Sequence, residues 1–287
     1  MAELILGTVQ LGNNYGINNK TGKPNKSEAF KILELAHQNK VLFLDTAIAY
    51  GESNKLIGDF SKEAKQNFKI LSKIKRDEVK KSVREEVEKH LFTLNCTKLD
   101  CLSLHRVDEV EDENFFEQIL KLKEEKIISK VGISVYNLTE LAGLDEVEKI
   151  DVIQLPSNLL DNLENKTIKL KELKKAGKEI HIRSVLLQGL LLMDPENLPE
   201  GLSEAKPYLE KLSEICGRFN KPIYDAALAY IFQSDLVDGI LVGVDTEEQM
   251  KILLNSLNIE ISKELVSSIE QLKRPPENII NPSRWQL

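Results

Sequence analysis

LDTAIAYGESNKLIG, residues Leu44 to Gly58, ends an apolar run with an acid and places a tyrosine five positions further on. Val41, Leu42, Phe43 and Leu44 are apolar on both faces of any strand, the pattern of a parallel strand covered on both sides. Asp45 then puts a carboxylate at the strand's carboxyl end. Such an acid serves either as the N-cap of a following helix or as a charge aimed at a ligand.

Working outward from this stretch, similar apolar runs recur at Leu4–Thr8, Val41–Asp45, Phe68–Lys73, Cys101–His105, Val131–Val135, Val152–Leu155, Ile180–Val185 and Ile240–Val244. Their starts recur roughly every 30 residues, the length of a strand-plus-helix unit. Helical periodicity fills the intervals. Ser27 is a plausible N-cap for a face of Ala29, Ile32, Leu33 and Ala36, and Val79, Val83, Val87 and Leu91 share another face. Asp112 precedes Phe115, Phe116 and Ile119; Leu170, Leu173 and Ala176 run into Gly177, a natural stop; Ala226 to Ile231 form a compact apolar helix. The pattern predicts an α/β chain folded as a single-domain (β/α)8 TIM barrel, a parallel eight-stranded sheet spanning 1–287. The tail, 274–287, is expected over the mouth. A doubly wound open sheet is the alternative, but it would carry a GxGxxG turn, and the glycines of LGTVQLGNNYG are spaced differently. The long connection from Leu186 to Pro222 carries Pro195, Pro199, Gly201 and Pro207, and reads as an active-site loop followed by an extra helix.

Composition sets the class. The chain has 287 residues, 41% apolar and 30% charged, with a net charge of −7. That argues for a globular domain and against nucleic acid or an anionic membrane as partner. The cysteines, Cys96, Cys101 and Cys216, form no CxxC pair, and the histidines show no HxxxH spacing, so neither a disulfide framework nor a metal site is expected. The amino terminus lacks the basic, apolar pattern of a signal peptide, and no run approaches a membrane span. A cytoplasmic location is the expectation, and the oligomeric state stays open.

Strands of a barrel bring their carboxyl ends together at one mouth. The runs end in Asp45, Lys73, His105, Ser134, Gln154, the pair Arg183 and Ser184, and Gly243. Any one has a structural use, as a cap, a solvated lysine or a hydrogen-bonded core histidine. Together, an acid, a base and an imidazole on consecutive strands would lie side by side. A buried lysine is costly unless paired, and Asp45 is one strand away. Tyr50 adds a proton donor. An ordinary tyrosine has a pKa of about 10, and an adjacent ammonium is expected to lower it. Such a group can polarise a C=O and protonate the oxygen as it becomes an alkoxide, work commonly worth about 10²–10⁴ in rate. The carbon still needs a hydride, which implies a nicotinamide.

These segments resemble the aldo/keto reductase family along nearly the whole chain. LGTVQLGNNYG resembles its opening strand and glycine loop, and LDTAIAYGESNKLIG its DTAxxYGxSExxxG pattern. SKI at Lys73 resembles its lysine strand and LDCLSLHRVDE its histidine strand. VGISVYN, VIQLPSNLLD, RSVLLQGLL and ILVGVDTEEQM follow in the family's order. The resemblance implies NADP-dependent reduction of an aldehyde or ketone, possible sugars included, with NAD(H) as the other cofactor. It implies catalytic residues Asp45, Tyr50, Lys73 and His105, with Tyr50 as general acid. It implies cofactor contacts from Thr8 and Asp45, from Ser134 and Gln154 on the carboxamide, and from Arg183 stacked on the nicotinamide. Ser184, Leu186, Gln188 and Gly189 would follow the ribose and pyrophosphate, with Gly243 and Gln249 at the adenosine half.

The chain departs from the family pattern in places. Val135 stands where members carry Asn or Arg, and Ser157 where they carry Tyr. Ile252 and Leu253 replace a polar Glu-Asn pair. Asp245 and Thr246 occupy the region that often presents Lys, Arg or Ser to a 2′-phosphate. A carboxylate about 5 Å from that phosphate would repel it by roughly 3 kcal/mol per unit charge at an effective dielectric near 20. Lys251 is the nearby cation that could compensate. Tyr15 and Ile48 are candidates for the substrate pocket, Trp285 is either a lid or packed against the barrel's outside, and Arg106 reads first as a solvated strand-end arginine and second as a contact for an anionic substrate. Two other readings stand beside the reductase: a regulatory nucleotide-binding module on the same fold, and Schiff-base chemistry at Lys73.

Overall fold

Eight strands alternate with helices and close on themselves. A computed structural model describes residues 2–285. The strands are β1 Glu3–Gly7, β2 Phe43–Asp45, β3 Lys69–Ile74, β4 Leu99–Leu104, β5 Ile128–Ser134, β6 Val152–Pro156, β7 Glu179–Arg183 and β8 Gly239–Gly243. They pair in sequence order, all parallel, and β8 returns to β1 to complete the barrel. The expected (β/α)8 barrel is what forms.

The helices are α1 Val9–Gly12, α2 Lys26–Gln38, α3 Ser53–Ala64, α4 Val83–Leu94, α5 Glu113–Glu124, α6 Thr167–Lys175, α7 Lys206–Arg218, α8 Ile223–Phe232, α9 Glu247–Ser256, α10 Lys263–Glu270 and α11 Glu277–Ile280. Asp112 caps α5 as expected, accepting the Phe115 N–H. Asn25, not Ser27, caps α2, because its carbonyl side chain reaches the Glu28 N–H. Val79 lies outside α4, which starts after Ser82 accepts the Glu85 N–H. The connection from β5 to β6 has no α-helix, only 3-10 turns at Leu138–Leu141 and Asp145–Lys149. The long seventh connection holds the extra helix α7 after its loop, as the prolines imply. Among the described residues, no helix is long and apolar enough to cross a membrane.

Strand alternation sorts the side chains into two cores. Residues facing the helices join one large cluster, with Leu6, Leu44, Ile70, Leu102, Ile133, Ile153, Ile182 and Ile240 among them. Inward-facing Ile5, Leu71, Cys101, Val152 and Leu241 form a second, small cluster in the barrel interior. Site residues carried by the strands lie two positions, one strand period, beyond an inward neighbour: Lys73 follows Leu71, Gln154 follows Val152, Gly243 follows Leu241. The polar groups are therefore a third interior layer, stacked at the carboxyl ends on apolar ones.

Candidate active site

One cavity of about 870 Å³ opens at the carboxyl ends of the strands. Asp45, Tyr50, Lys73 and His105 all line it. Asp45 and Lys73 are buried, 5% and 4% exposed. The Lys73 ammonium donates to both Asp45 oxygens, 2.6 Å to Oδ2. Asp45 is not a helix cap: the residue before α3 is Glu52. Its carboxylate is committed to Lys73 and to Gln154, whose Nε2 donates to Oδ2 at 3.0 Å. Burial alone would drag the Lys73 ammonium down; Asp45 and Tyr50 outweigh that and hold it above an ordinary lysine. Such a lysine keeps its proton, which is the reverse of what a Schiff-base nucleophile needs.

The Lys73 Nζ lies 5.8 Å from the Tyr50 ring centroid. Lys73 is the strongest single influence on the Tyr50 hydroxyl and pulls its pKa down, but burial, Asp45 and Tyr136 together raise it above 10.0. This corrects the sequence-based expectation of a lowered value. The Asp45 carboxylate paired with Lys73 opposes its pull, and a desolvated phenolate would be costly. His105 is pushed down to about 4, by burial first and by Lys73 second. It is a neutral imidazole at physiological pH, and its Nδ1 is buried without a hydrogen-bond partner.

Backbone contacts hold these side chains in place, and two of the residues responsible escaped sequence reading. Glu109 is 3% exposed. Its carboxylate accepts the backbone N–H groups of Arg76, His105 and Arg106 at 2.9–3.0 Å, tying the β3 and β4 tips together. Gly12 lets the β1 loop press on the tyrosine segment: a Cβ there would lie 2.3 Å from the Tyr50 carbonyl oxygen. Glu109 lies four residues after His105, a spacing with no signature until the loop is seen to fold back.

Ser134, Gln154, Arg183, Ser184, Leu186, Gln188, Gly189, Gly243 and Gln249 line the same cavity. Ser134 and Gln154 are paired in register on β5 and β6, and Gln154 Oε1 is buried and unpartnered. Thr8 does not reach the cavity. It is wholly buried, and its hydroxyl donates to the Asp45 carbonyl at 2.9 Å, bracing the β2 tip. Arg183 is already stacked, its guanidinium 4.6 Å from the Tyr136 ring centroid and donating to the Val135 carbonyl. After it the chain turns through positive φ at Ser184, Leu187, Gln188 and Gly189, a concentration of backbone strain that marks functional loops.

At the far end, Gln249 is turned back on its own helix, its Oε1 accepting the Asp245 N–H at 2.7 Å. Lys251 faces Glu247 at 2.7 Å and does not line the cavity. Tyr15 lines it; Ile48 does not, and packs on the main core. Arg106 is exposed and pairs with Asp108. Pro282 and Ser283 of the tail reach the cavity. Trp285 packs on the core, donating to the Ile279 carbonyl at 3.0 Å. The last two positions of the expected tail lie outside the described residues.

Comparisons with known proteins follow the same outline. A sequence model described as "Aldo/keto reductase family" matches residues 3–274. A relative named NADH-specific methylglyoxal reductase, from Escherichia coli, is 28% identical over 204 residues, covering 63% of this chain and 61% of the relative. This chain thus spans less than two thirds of that relative's length. An aldo-keto reductase of Bacillus halodurans, solved in its holo form, superposes with a TM-score of 0.76 at 21% identity, covering 98% of this chain and 95% of that one. An aldo/keto reductase of Klebsiella pneumoniae, solved with NADP and acetate, gives 0.72 at 18% identity, covering 96% and 92%. At these identities the two structures speak to the fold alone.

Proposed function

Because the chain belongs to the aldo/keto reductase family, we propose that it reduces an aldehyde or ketone to an alcohol at the expense of a reduced nicotinamide dinucleotide, with Tyr50 as general acid. The observation that carries this reading is the buried Lys73 ammonium, clamped by Asp45 and set beside the Tyr50 ring in one cavity. The relatives named above include one called NADH-specific and one solved with NADP. NAD(H) and NADP(H) are both represented.

The residues present fit such a group. The cavity runs from the four catalytic candidates to Asp245 and Ile252. Gln154 Oε1, buried with no partner, is an acceptor waiting for an amide N–H. It and Ser134 would hold the carboxamide. Ser184, Leu186, Gln188 and Gly189 would follow the ribose and pyrophosphate, and Gly243 and Gln249 the adenosine half. When bound, the dihydronicotinamide would supply the hydride for the carbonyl carbon.

The protein's own part is to deliver a proton and manage charge. Tyr50 gives its hydroxyl proton to the carbonyl oxygen as that oxygen gains negative charge. Lys73 faces the phenolate left behind, and Asp45 keeps Lys73 charged and aimed. Neutral His105 has one N–H to offer the oxygen. A hydroxyl pKa above 10 keeps Tyr50 protonated at neutral pH, which favours reduction over alcohol oxidation.

Tyr50→Phe tests the assignment. It should leave dinucleotide affinity, read by fluorescence, unchanged and lower kcat by about 10²–10⁴. An unchanged kcat would remove Tyr50 from the mechanism. If the unaltered protein bound dinucleotide yet turned over no aldehyde or ketone, a regulatory nucleotide-binding role would replace catalysis.

A further inference from the structure

The end of the cavity away from Tyr50 is acidic. Asp245 follows β8 by two residues, is half-buried and lines the cavity. Its Oδ1 accepts from Asn19 Nδ2 at 3.0 Å. Asn19 is itself fixed, because its Oδ1 accepts the N–H groups of Thr21 and Gly22 at 3.0 and 2.8 Å. The carboxylate is thus held from the β1 loop on one side and by its own backbone bond to Gln249 on the other. The Gln249 side chain also bonds the carboxylate.

Positive charge that could offset it is committed elsewhere. Lys251 is paired with Glu247. Lys31 lies 3.6 Å from Glu247 and 3.7 Å from Glu28. The cations lining the cavity among the described residues are Lys73 and Arg183, both at the Tyr50 end. Lys20, beside Asn19, is exposed and does not line it.

The two nicotinamide dinucleotides differ only at the adenosine ribose. A 2′-hydroxyl can donate a hydrogen bond to a carboxylate. A 2′-phosphate is mostly dianionic at neutral pH, carries about −1.5 to −2 charge and needs cations or N–H donors. Resting on the nicotinamide reading above, we infer that this chain selects NADH over NADPH and that Asp245, braced by Asn19, is the residue that selects. The Asp245 carboxylate receives the 2′-hydroxyl and repels the 2′-phosphate. Ile252, 45% exposed at that end, offers an apolar surface in place of a charged one.

Equilibrium titration of the full chain with NADH and with NADPH, by fluorescence or calorimetry, tests this without turnover. NADH should bind at least about tenfold more tightly, equivalent to about 1.4 kcal/mol. Asp245→Ser should move the affinity ratio about tenfold or more towards NADPH and raise NADPH affinity outright. Asp245→Asn, which keeps size and hydrogen bonding, should move it the same way. NADPH binding as tightly as NADH to the unaltered protein would overturn the inference. So would a ratio unmoved in both variants, or an NADPH affinity that collapses in Lys20→Ala, since Lys20 would then be reading a phosphate. Each of those outcomes leaves the nicotinamide reading standing. Binding of neither dinucleotide would instead sink that reading and this inference with it.

Discussion

The two ends of the cavity each centre on a carboxylate, and they hold it by different means. At the Tyr50 end, Asp45 sits on β2, and its partners Lys73 and Gln154 sit on β3 and β6, all three at most 5% exposed. At the other end, Asp245 and Asn19 are half-buried and stand on loops 226 positions apart in the chain. The first carboxylate is part of the barrel; the second is carried by connections laid over it. On the proposed reading, chemistry would sit on the rigid scaffold and selection on loops that can vary without disturbing it.

The largest test of that contrast is to neutralise each end in turn. Lys73→Met leaves the Asp45 carboxylate buried with Gln154 as its remaining donor. Breaking a buried pair in this way commonly costs about 3–5 kcal/mol, so the urea midpoint should fall sharply and turnover should be lost. Asp245→Asn touches a half-buried hydrogen bond worth about 0.5–1.5 kcal/mol, and the urea midpoint should move little. Equal losses of stability at the two ends would dissolve the distinction.

A smaller effect is expected at Glu109. Glu109→Gln puts an amide N–H₂ among three backbone donors, leaving some of them without an acceptor. The expected cost is about 1–3 kcal/mol in unfolding free energy. Because Glu109 holds the His105 backbone and does not touch the cavity, kcat should fall while dinucleotide affinity stays. Loss of affinity with kcat preserved would mean that the β4 tip does not position the reacting groups.

The smallest expected effect is on the pH profile. His105 titrates at about 4 and Tyr50 above 10.0, so kcat for reduction should show no inflection near 6.5 and should decline only in strong alkali. A step near 6.5 would show that His105 is more open to water than its surroundings imply. Stability carries the same signature. His90, His105 and His181 are all held at about 4, by burial first in each case. Between pH 6.5 and 4 the unfolded chain binds protons that the folded chain does not. Stability is therefore full above 6.5 and drains as the pH falls towards 4.

Much of the candidate site was legible because strands advertise themselves. An apolar run that ends in a polar residue reads the same whichever strands flank it, and Asp45, Lys73, His105, Ser134, Gln154 and Arg183 were all found in that way. What escaped was the identity of the partners. Thr8 braces Asp45, Arg183 stacks on Tyr136, and Lys251 turns to Glu247. Nothing in the local pattern distinguishes these from contacts with a ligand. The fifth connection lacks an α-helix although the repeat implied one, because the short span closes with 3-10 turns.

The order of residues by itself determined the barrel, the level of its polar layer and the kinds of group placed there, since alternation along a strand is a local property of two-residue period. Tertiary structure alone decided which charges neutralise one another, which way the Tyr50 hydroxyl shifts and which cavity carboxylate has no cation paired with it among the described residues. Those depend on distance and on exclusion of water between residues 28 or 226 positions apart, and neither quantity exists until the chain has closed on itself.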